Sequence, residues 1–407
     1  MQCGQLRVAS VFAISALVAC SAGKPNSGFT TDPPAGSDGG AANGPDPLNG
    51  GPTVGSNDGG APATAVCAPN VANYEVPMNG CDDDADGKID NVPVCDHGVA
   101  LTGTADDFAK ALGLCQKATG AADPKWGVVS AAYTQGYNQT AAPAVGQHGI
   151  LGKFGNVVKP REGEMLGALS SGWAREFNES SGTSAPFKGG TAMTSSGAVP
   201  PGFPKASGTC PIDTKVKDVA AIKLQIKVPK NAKGVAFDFN FHSGEWPEFV
   251  CTKFNDAFIA YLTSTALPGG KPDNISFDAM GNTVSVNNGF FDRCTPNTKT
   301  ACDGISFNPG TITAACAGGE AELGGTGFED KGIYCGMNLI SGSGPTTTGG
   351  GATGWLTSKA PVTPGELITL EFMIWDTGDT AFDSSVLIDH LTWEPTATVT
   401  GTGRPPQ

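Results

Sequence analysis

The run Cys81-Asp82-Asp83-Asp84-Ala85-Asp86-Gly87-Lys88-Ile89-Asp90 carries the densest chemistry in the chain. Asp82, Asp84 and Asp86 stand at positions 1, 3 and 5 of a calcium-loop spacing. Gly87 supplies the turn at 6, the Lys88 carbonyl falls at 7 and Asp90 at 9. Alternate carboxylates converge in such a run because the backbone wraps around a hard cation that takes about 6–8 oxygens. Position 12 is Pro93, so the bidentate acid that would close the shell must come from elsewhere, with Asp96 nearest in sequence. Without a cation, the same residues make a solvated acidic turn.

A second set of acids sits near the C-terminus. Asp376, Asp379 and Asp383 fall at the end of one apolar-alternating stretch and in the loop that follows, and Asn255-Asp256 opens another such stretch. If the loop folds back, Asp256, Asp376, Asp379 and Asp383 could share a second calcium; otherwise they cap turns. Catalytic groupings are sparse. The four histidines are His97, His148, His242 and His390, and neither a GxSxG elbow nor an HExxH helix occurs. Glu245 and Glu248 in HSGEWPE would need carboxyls about 5–9.5 Å apart to cleave a glycoside. His242 falls on the polar side of its stretch, which reads as solvated. The expectation is a protein that is not an enzyme.

These residues need elements to position them. Phe237, Phe239 and Phe241 alternate with Asp238, Asn240 and His242; Ile222, Leu224, Ile226 and Val228 alternate with lysines and Gln225; Ile368, Leu370, Phe372 and Ile374 do the same, and Ser385 to Trp393 gives another strand. A short helix is predicted over Thr104 to Gln116, capped by Thr104. With 58 Gly, 30 Pro and 16% charged residues, the fold class is all-β. The expected architecture is an antiparallel, jelly-roll-like β-sandwich with one short helix and long Gly-rich loops, preceded by a disordered linker. Ser180 to Gly208 and Ala317 to Gly351 read as those loops. The net charge of −14 excludes nucleic acid as a partner. Beyond Cys3 and Cys20 the chain holds ten cysteines and no CxxC pair, which points to disulfides in an oxidising compartment. Sequence leaves their pairing open; joining Cys81 to Cys95 across the acidic loop is one option. Trp246, Trp355, Trp375 and Trp393 would offer sugar-stacking rings if exposed.

The first 19 residues read as an export signal ending in Leu17-Val18-Ala19-Cys20. This resembles the lipobox of bacterial lipoproteins, which implies that Cys20 is the lipidation site and first mature residue. Ser21, in place of aspartate, implies sorting to the outer membrane and display at the cell surface. Residues 20–66, almost wholly Gly, Pro, Ser, Ala, Asn, Asp and Thr, form a tether too polar to build a core. Residues 67–96 are the acidic segment, 97–395 the sandwich and 396–407 a disordered tail. The loop is similar to the DxDxDG repeats of thrombospondin type 3, with calcium as the implied cofactor.

The main segment carries a further resemblance. GILGKFGNVVKPREGEMLGALSSGWA (149–174), EWPEFVCTKFNDAFIAYLTS (245–264), NISF (274–277), VSVNN (284–288) and PGELITLEFMIWDTGDTAFDSSVLID (364–389) follow, in order, the recurring pattern of the choice-of-anchor L domain of bacterial surface proteins. Ser171 stands where the pattern has threonine, and most cysteines lie outside it. The resemblance implies a β-sandwich on an exported protein with no known reaction. Its partners would be the membrane, through the N-terminal lipid, and an extracellular protein or glycan.

Overall fold

The computed structural model describes residues 67–175, 193, 197–246, 249–287, 290–294, 297–300, 311–314, 316–329 and 350–405. The signal, Cys20, the tether, Glu248, Cys302 and Cys335 lie outside the described residues.

In chain order the strands are β1 (Gly127–Thr134), β2 (His148–Leu151), β3 (Leu166–Ser170), β4 (Val216–Lys227), β5 (Gly234–Ser243), β6 (Ala257–Thr263) and β7 (Asp273–Asn274). They continue with β8 (Val284–Ser285), β9 (Asn297–Thr300), β10 (Thr311–Ala314), β11 (Gly351–Pro361), β12 (Leu367–Thr377), β13 (Ser384–Glu394) and β14 (Gly401–Gly403). Two antiparallel six-stranded sheets form the sandwich. The first runs β1-β4-β12-β6-β7 with β8 also on β6, and the second runs β14-β11-β5-β13-β3-β2; β9 and β10 make a separate pair.

The expected apolar faces meet between the sheets. Phe237 and Phe239 of β5 face Phe372 of β12 and Phe258 of β6, with ring centroids 4.8 Å apart for Phe237 with Phe372 and 5.1 Å for Phe239 with Phe258. Ile222, Leu224 and Ile226 of β4 and Ile368, Leu370 and Ile374 of β12 complete this core. Each such side chain removed from water contributes about 1.5–3 kcal/mol. The helix α1 (Ala105–Ala111) is capped by Thr104, whose hydroxyl accepts the Asp107 N–H while the Asp107 carboxylate takes the Thr104 N–H. It is shorter than predicted because the chain turns at Gly113, whose φ of +85° breaks the helical path.

Both sheets are also covered on their outer faces. Met373 and Trp375 of β12 pack under Tyr137, Val199 and Phe203. On β5, the side expected to be solvated is buried throughout. His242 is fully enclosed, its ring 5.1 Å from Phe154 and 5.6 Å from Phe328. The part of the Gly-rich insertion around Leu323 and Phe328 therefore lies over the sheet as a third layer with Phe154. An alternating pattern marks which side chains point together and does not say what a distant insertion will lay over them.

Three further expectations change. The tail beyond 395 supplies β14, paired with Thr357, Ser358 and Lys359 of β11, and Arg404 reaches Asp292. Cys81 pairs with Cys67 and Cys95 with Cys115, not with each other. Asp96 accepts the Glu164 and Met165 amides, which anchors the neighbouring Cys95 near the end of α1, within reach of Cys115. Cys210–Cys251 and Cys294–Cys316 are the other two described bridges. Finally, residues 64–407 form one compact unit, so the acidic segment is docked on the sandwich with no break at 96.

Candidate metal centre

The acidic loop is held from below by a residue that the spacing does not reveal. Tyr74 exchanges two hydrogen bonds with Asn231, its N–H donating to Oδ1 at 2.9 Å and its carbonyl accepting from Nδ2 at 2.7 Å. Lys230 N–H donates to the Ala72 carbonyl beside it. This fixes Glu75, which is 2% exposed, under the loop. Glu75 Oε2 accepts the amides of Asp83 (2.8 Å) and Asp84 (3.3 Å), and Oε1 accepts that of Asp90 (2.7 Å). The loop thus wraps around one buried carboxylate.

Glu75, Asp82 and Asp84 each bring an oxygen within 4.8 Å of the other two, and no other group of three His, Cys, Asp or Glu side chains does so among the described residues. Two or three carboxylates so placed, with backbone carbonyls and water, suit a hard divalent ion. The repulsion is visible in the Asp84 carboxyl. Partial burial raises its pKa first, and the charges of Asp86, Asp82 and Asp83 raise it further, against a hydrogen bond from the Asp86 amide.

The remaining loop acids do other work. Asp86 Oδ1 accepts the Lys88 amide (2.8 Å) and Oδ2 the Asn91 side chain (2.9 Å), and the Asn91 bond is the main reason its pKa is lowered. Lys88 is exposed, 3.8 Å from Asp86. The Asp90 carboxylate accepts the amides of Asn79 (2.8 Å) and Gly80 (3.1 Å), closing a turn instead of joining the three converging oxygens. Asp96 lies elsewhere, on the 164–165 amides. Glu75 was hidden from motif reading because it precedes Asp82 by seven residues and reaches the loop only through the Tyr74–Asn231 pairing.

The second acid set is buried between elements of both sheets. Asp256, just before β6, accepts the Thr377 amide (3.1 Å) and the Ser384 hydroxyl (2.8 Å). Glu245, in the turn after β5, accepts the Asp256 amide at 3.2 Å. Asp376 is buried against the Asp256 carboxyl and the Ser171 hydroxyl, both of which act on its proton. Asp379 is half-buried and accepts the Ala381 amide in a turn. Asp383 packs against Gly172, where a Cβ would collide with its carboxylate. Burial pushes Asp376 up to about 8 and raises Glu245 and Asp256 well above the carboxylate range.

The four histidines are accounted for without a nucleophile. His97 pairs with Glu164 at 2.7 Å, His148 stacks on Tyr133 at 3.7 Å, His242 sits between phenylalanines, and His390 meets Asp238 at 3.2 Å. Of the tryptophans, Trp246, Trp375 and Trp393 are buried and Trp355 is half-buried, so the rings suggested for sugar stacking mainly build the core and its cover.

Two antiparallel sheets closed by an apolar core, four disulfides and an acidic loop docked on one side define a disulfide-bonded β-sandwich of an oxidising compartment. The profile of the Choice-of-anchor L domain matches residues 169–393, more than half of the chain, and the chain belongs to that family. The match runs from β3 to β13; it contains the buried acids and leaves out the acidic loop, α1, β1, β2 and β14. Neither a search of curated proteins nor one of solved structures found a match.

Proposed function

We propose that the protein is a non-enzymatic surface lipoprotein: a calcium-ordered sandwich module, lipid-anchored at Cys20 in the outer membrane and held clear of it by residues 20–66, that serves adhesion or envelope structure. The convergence of Glu75, Asp82 and Asp84 on a loop already tied to the sandwich carries this reading, because it provides an acidic cation site where the module faces solvent. Membership of the Choice-of-anchor L family supports a surface role, and the Leu17-Val18-Ala19-Cys20 run supports the lipid. The mature protein extracted from membranes tests both parts. Intact mass is expected to show acyl chains at Cys20, lost with Cys20→Ser, and calcium titration is expected to show uptake that Asp84→Ala reduces. An unacylated wild type would overturn the anchor, and wild-type protein that takes up no calcium would overturn the cation site.

One observation favours glycan binding as a second reading. A groove of about 570 Å³ on the outer face of the second sheet is lined by Arg161, Asp238, Thr357, His390, Thr392 and Thr402, a mixture of donors and acceptors suited to sugar hydroxyls. A glycan array comparing wild type with Asp238→Ala separates this reading from the first. A hydrolase reading would rest on Glu245, which is 1% exposed, and Glu245→Gln in a turnover assay tests it.

A further inference from the structure

In a chain of net charge −14, the groove on the outer face of the second sheet reverses the local sign: Arg161, Lys359, His390 and Arg404 line it against Asp238 and Glu394. Two of these cations are already committed. Lys359 pairs with Glu394, and Arg404 reaches Asp292 and the Phe290 and Thr353 carbonyls. Arg161 and His390 remain, and both rest on one carboxylate. Asp238 Oδ2 accepts Arg161 Nε–H at 3.1 Å and His390 Nδ1–H at 3.2 Å, while Oδ1 accepts the Thr357 hydroxyl. The Asp238 side chain is 4% exposed, against 37% for Arg161 and 42% for His390. A buried acid therefore holds two partly exposed cations at the groove, and one positive charge is left over whenever His390 is protonated.

The backbone is bent to place both groups. Asp389 pairs with Asp238 across the sheet, but the register shifts before Thr392, so that His390 and Leu391 together stand opposite Phe237. Leu391 takes the inward place in the core, and His390, at a φ of +51°, turns outward. Residues other than glycine rarely adopt such a φ, and here it aims an imidazole that regular pairing would have buried. Asp389 also fixes the other cation, because its carboxylate accepts the amides of Arg161 (2.5 Å) and Glu162 (3.4 Å). The Glu162 carboxylate lies against Gly113 and takes no part in lining the groove.

We propose that this groove recognises the carboxylate of an acidic sugar, a uronic acid within an extracellular polysaccharide, through the Arg161 guanidinium and His390 Nε2. The inference rests on the glycan-binding reading above and names its substrate class. Among the described residues the Arg161 side chain spends only Nε, on Asp238, which leaves the two terminal nitrogens of a planar fork that matches a carboxylate. With Nδ1 donating to Asp238, Nε2 donates outward only from the protonated ring. Asp238 favours that form: its hydrogen bond raises the His390 pKa against the effect of burial, and the charges of Asp238, Glu162 and Asp389 add to it. Asp238 itself stays ionised, since burial is outweighed by the bonds from His390, Thr357 and Arg161. The one surplus charge balances the single negative charge of a uronic acid. The volume of about 570 Å³ falls in the range of about 300–1,000 Å³ usual for small-ligand sites, which leaves room for a short oligosaccharide.

The probes are tetragalacturonate and its carboxyl-reduced counterpart, titrated calorimetrically into the full mature chain at about pH 6 and low salt, where imidazole is protonated and charges are little screened. Chelator is present, so that calcium does not bridge the uronate to the acidic loop. Wild type is expected to bind the uronate at least tenfold more tightly than the reduced sugar. Arg161→Gln and, separately, His390→Gln should each remove most of that preference and leave binding of the reduced sugar unchanged. Raising the pH to about 8 should act on wild type as His390→Gln does. If one variant does not fold, the other decides. Equal binding of the two sugars, or preference for the reduced one, overturns the inference and leaves the glycan reading standing. Undiminished uronate binding by the folded variants also overturns it, because the sugar then sits elsewhere. Binding of neither sugar overturns it as well, and the glycan array decides whether the broader reading falls with it.

Discussion

Tyr74 and Asn231 are 157 residues apart in sequence and joined by two hydrogen bonds, one in each direction between the Tyr74 backbone and the Asn231 side chain. This pairing carries Glu75 to the acidic loop and joins a segment outside the family match to one inside it. Both groups are part-buried, so removing the amide leaves a peptide N–H and a carbonyl without partners, which costs about 1–3 kcal/mol. Asn231→Ala is therefore expected to destabilise the protein by about 2 kcal/mol. It should also weaken calcium uptake at the loop while leaving every loop carboxylate in place. Urea unfolding and calcium titration of the variant check the two effects.

His242 gives the opposite expectation. Both ring nitrogens are buried without partners, between Phe154 and Phe328, and burial pushes the imidazole down to about 3. Replacing such a group by an apolar ring of similar shape removes unsatisfied atoms. His242→Phe is expected to raise stability by about 1 kcal/mol, and a thermal melt at neutral pH would show it as a higher midpoint.

The pH profile sets two effects against each other. An unfolded aspartate ionises near pH 4, whereas Asp376 holds its proton to about 8 and Asp389, also raised by burial, to about 7. The folded state thus binds more protons than the unfolded one over this window, and stability falls as pH rises through it. Unfolded histidine gains its proton below about pH 6.5, but His148 stays neutral to about 4 and His242 to about 3, so these two groups' own contribution falls as pH drops below about 6.5. Between about pH 4 and 6.5 the two effects oppose each other, and the raised carboxyls, which include Glu245 and Asp256, outnumber the two histidines, so melting temperature in chelator is expected to decline as pH rises above about 5 and most steeply above about 6.5. A pH series of melts in chelator measures the slope.

Much of this architecture is legible in local pattern. The alternation of Phe237, Phe239 and Phe241 and of Ile368, Leu370, Phe372 and Ile374 yields strands whose apolar faces do meet, and Thr104 with Asp107 marks a helix start that forms as capped. Period-2 burial needs only neighbouring residues to be read. The Asp82 and Asp84 spacing is local too, and both oxygens converge. What escapes is long-range. Glu75 is recruited through Asn231, His242 is covered by Phe328 from 86 positions further on, and Cys81 meets Cys67 instead of Cys95. None of these contacts leaves a trace in residue spacing, because each depends on where separate segments dock.

The central claim is that Glu75 completes the loop's cation site. Calorimetric titration of calcium into the full chain, wild type against Glu75→Gln, tests it most directly. Glutamine keeps the length and one carbonyl acceptor for the loop amides but removes the charge. If Glu75 is a ligand, the variant should lose the loop's equivalent of calcium, or bind it at least tenfold more weakly. Loop binding of wild-type strength in Glu75→Gln would contradict the claim and leave Glu75 as no more than an acceptor for the amides of Asp83, Asp84 and Asp90.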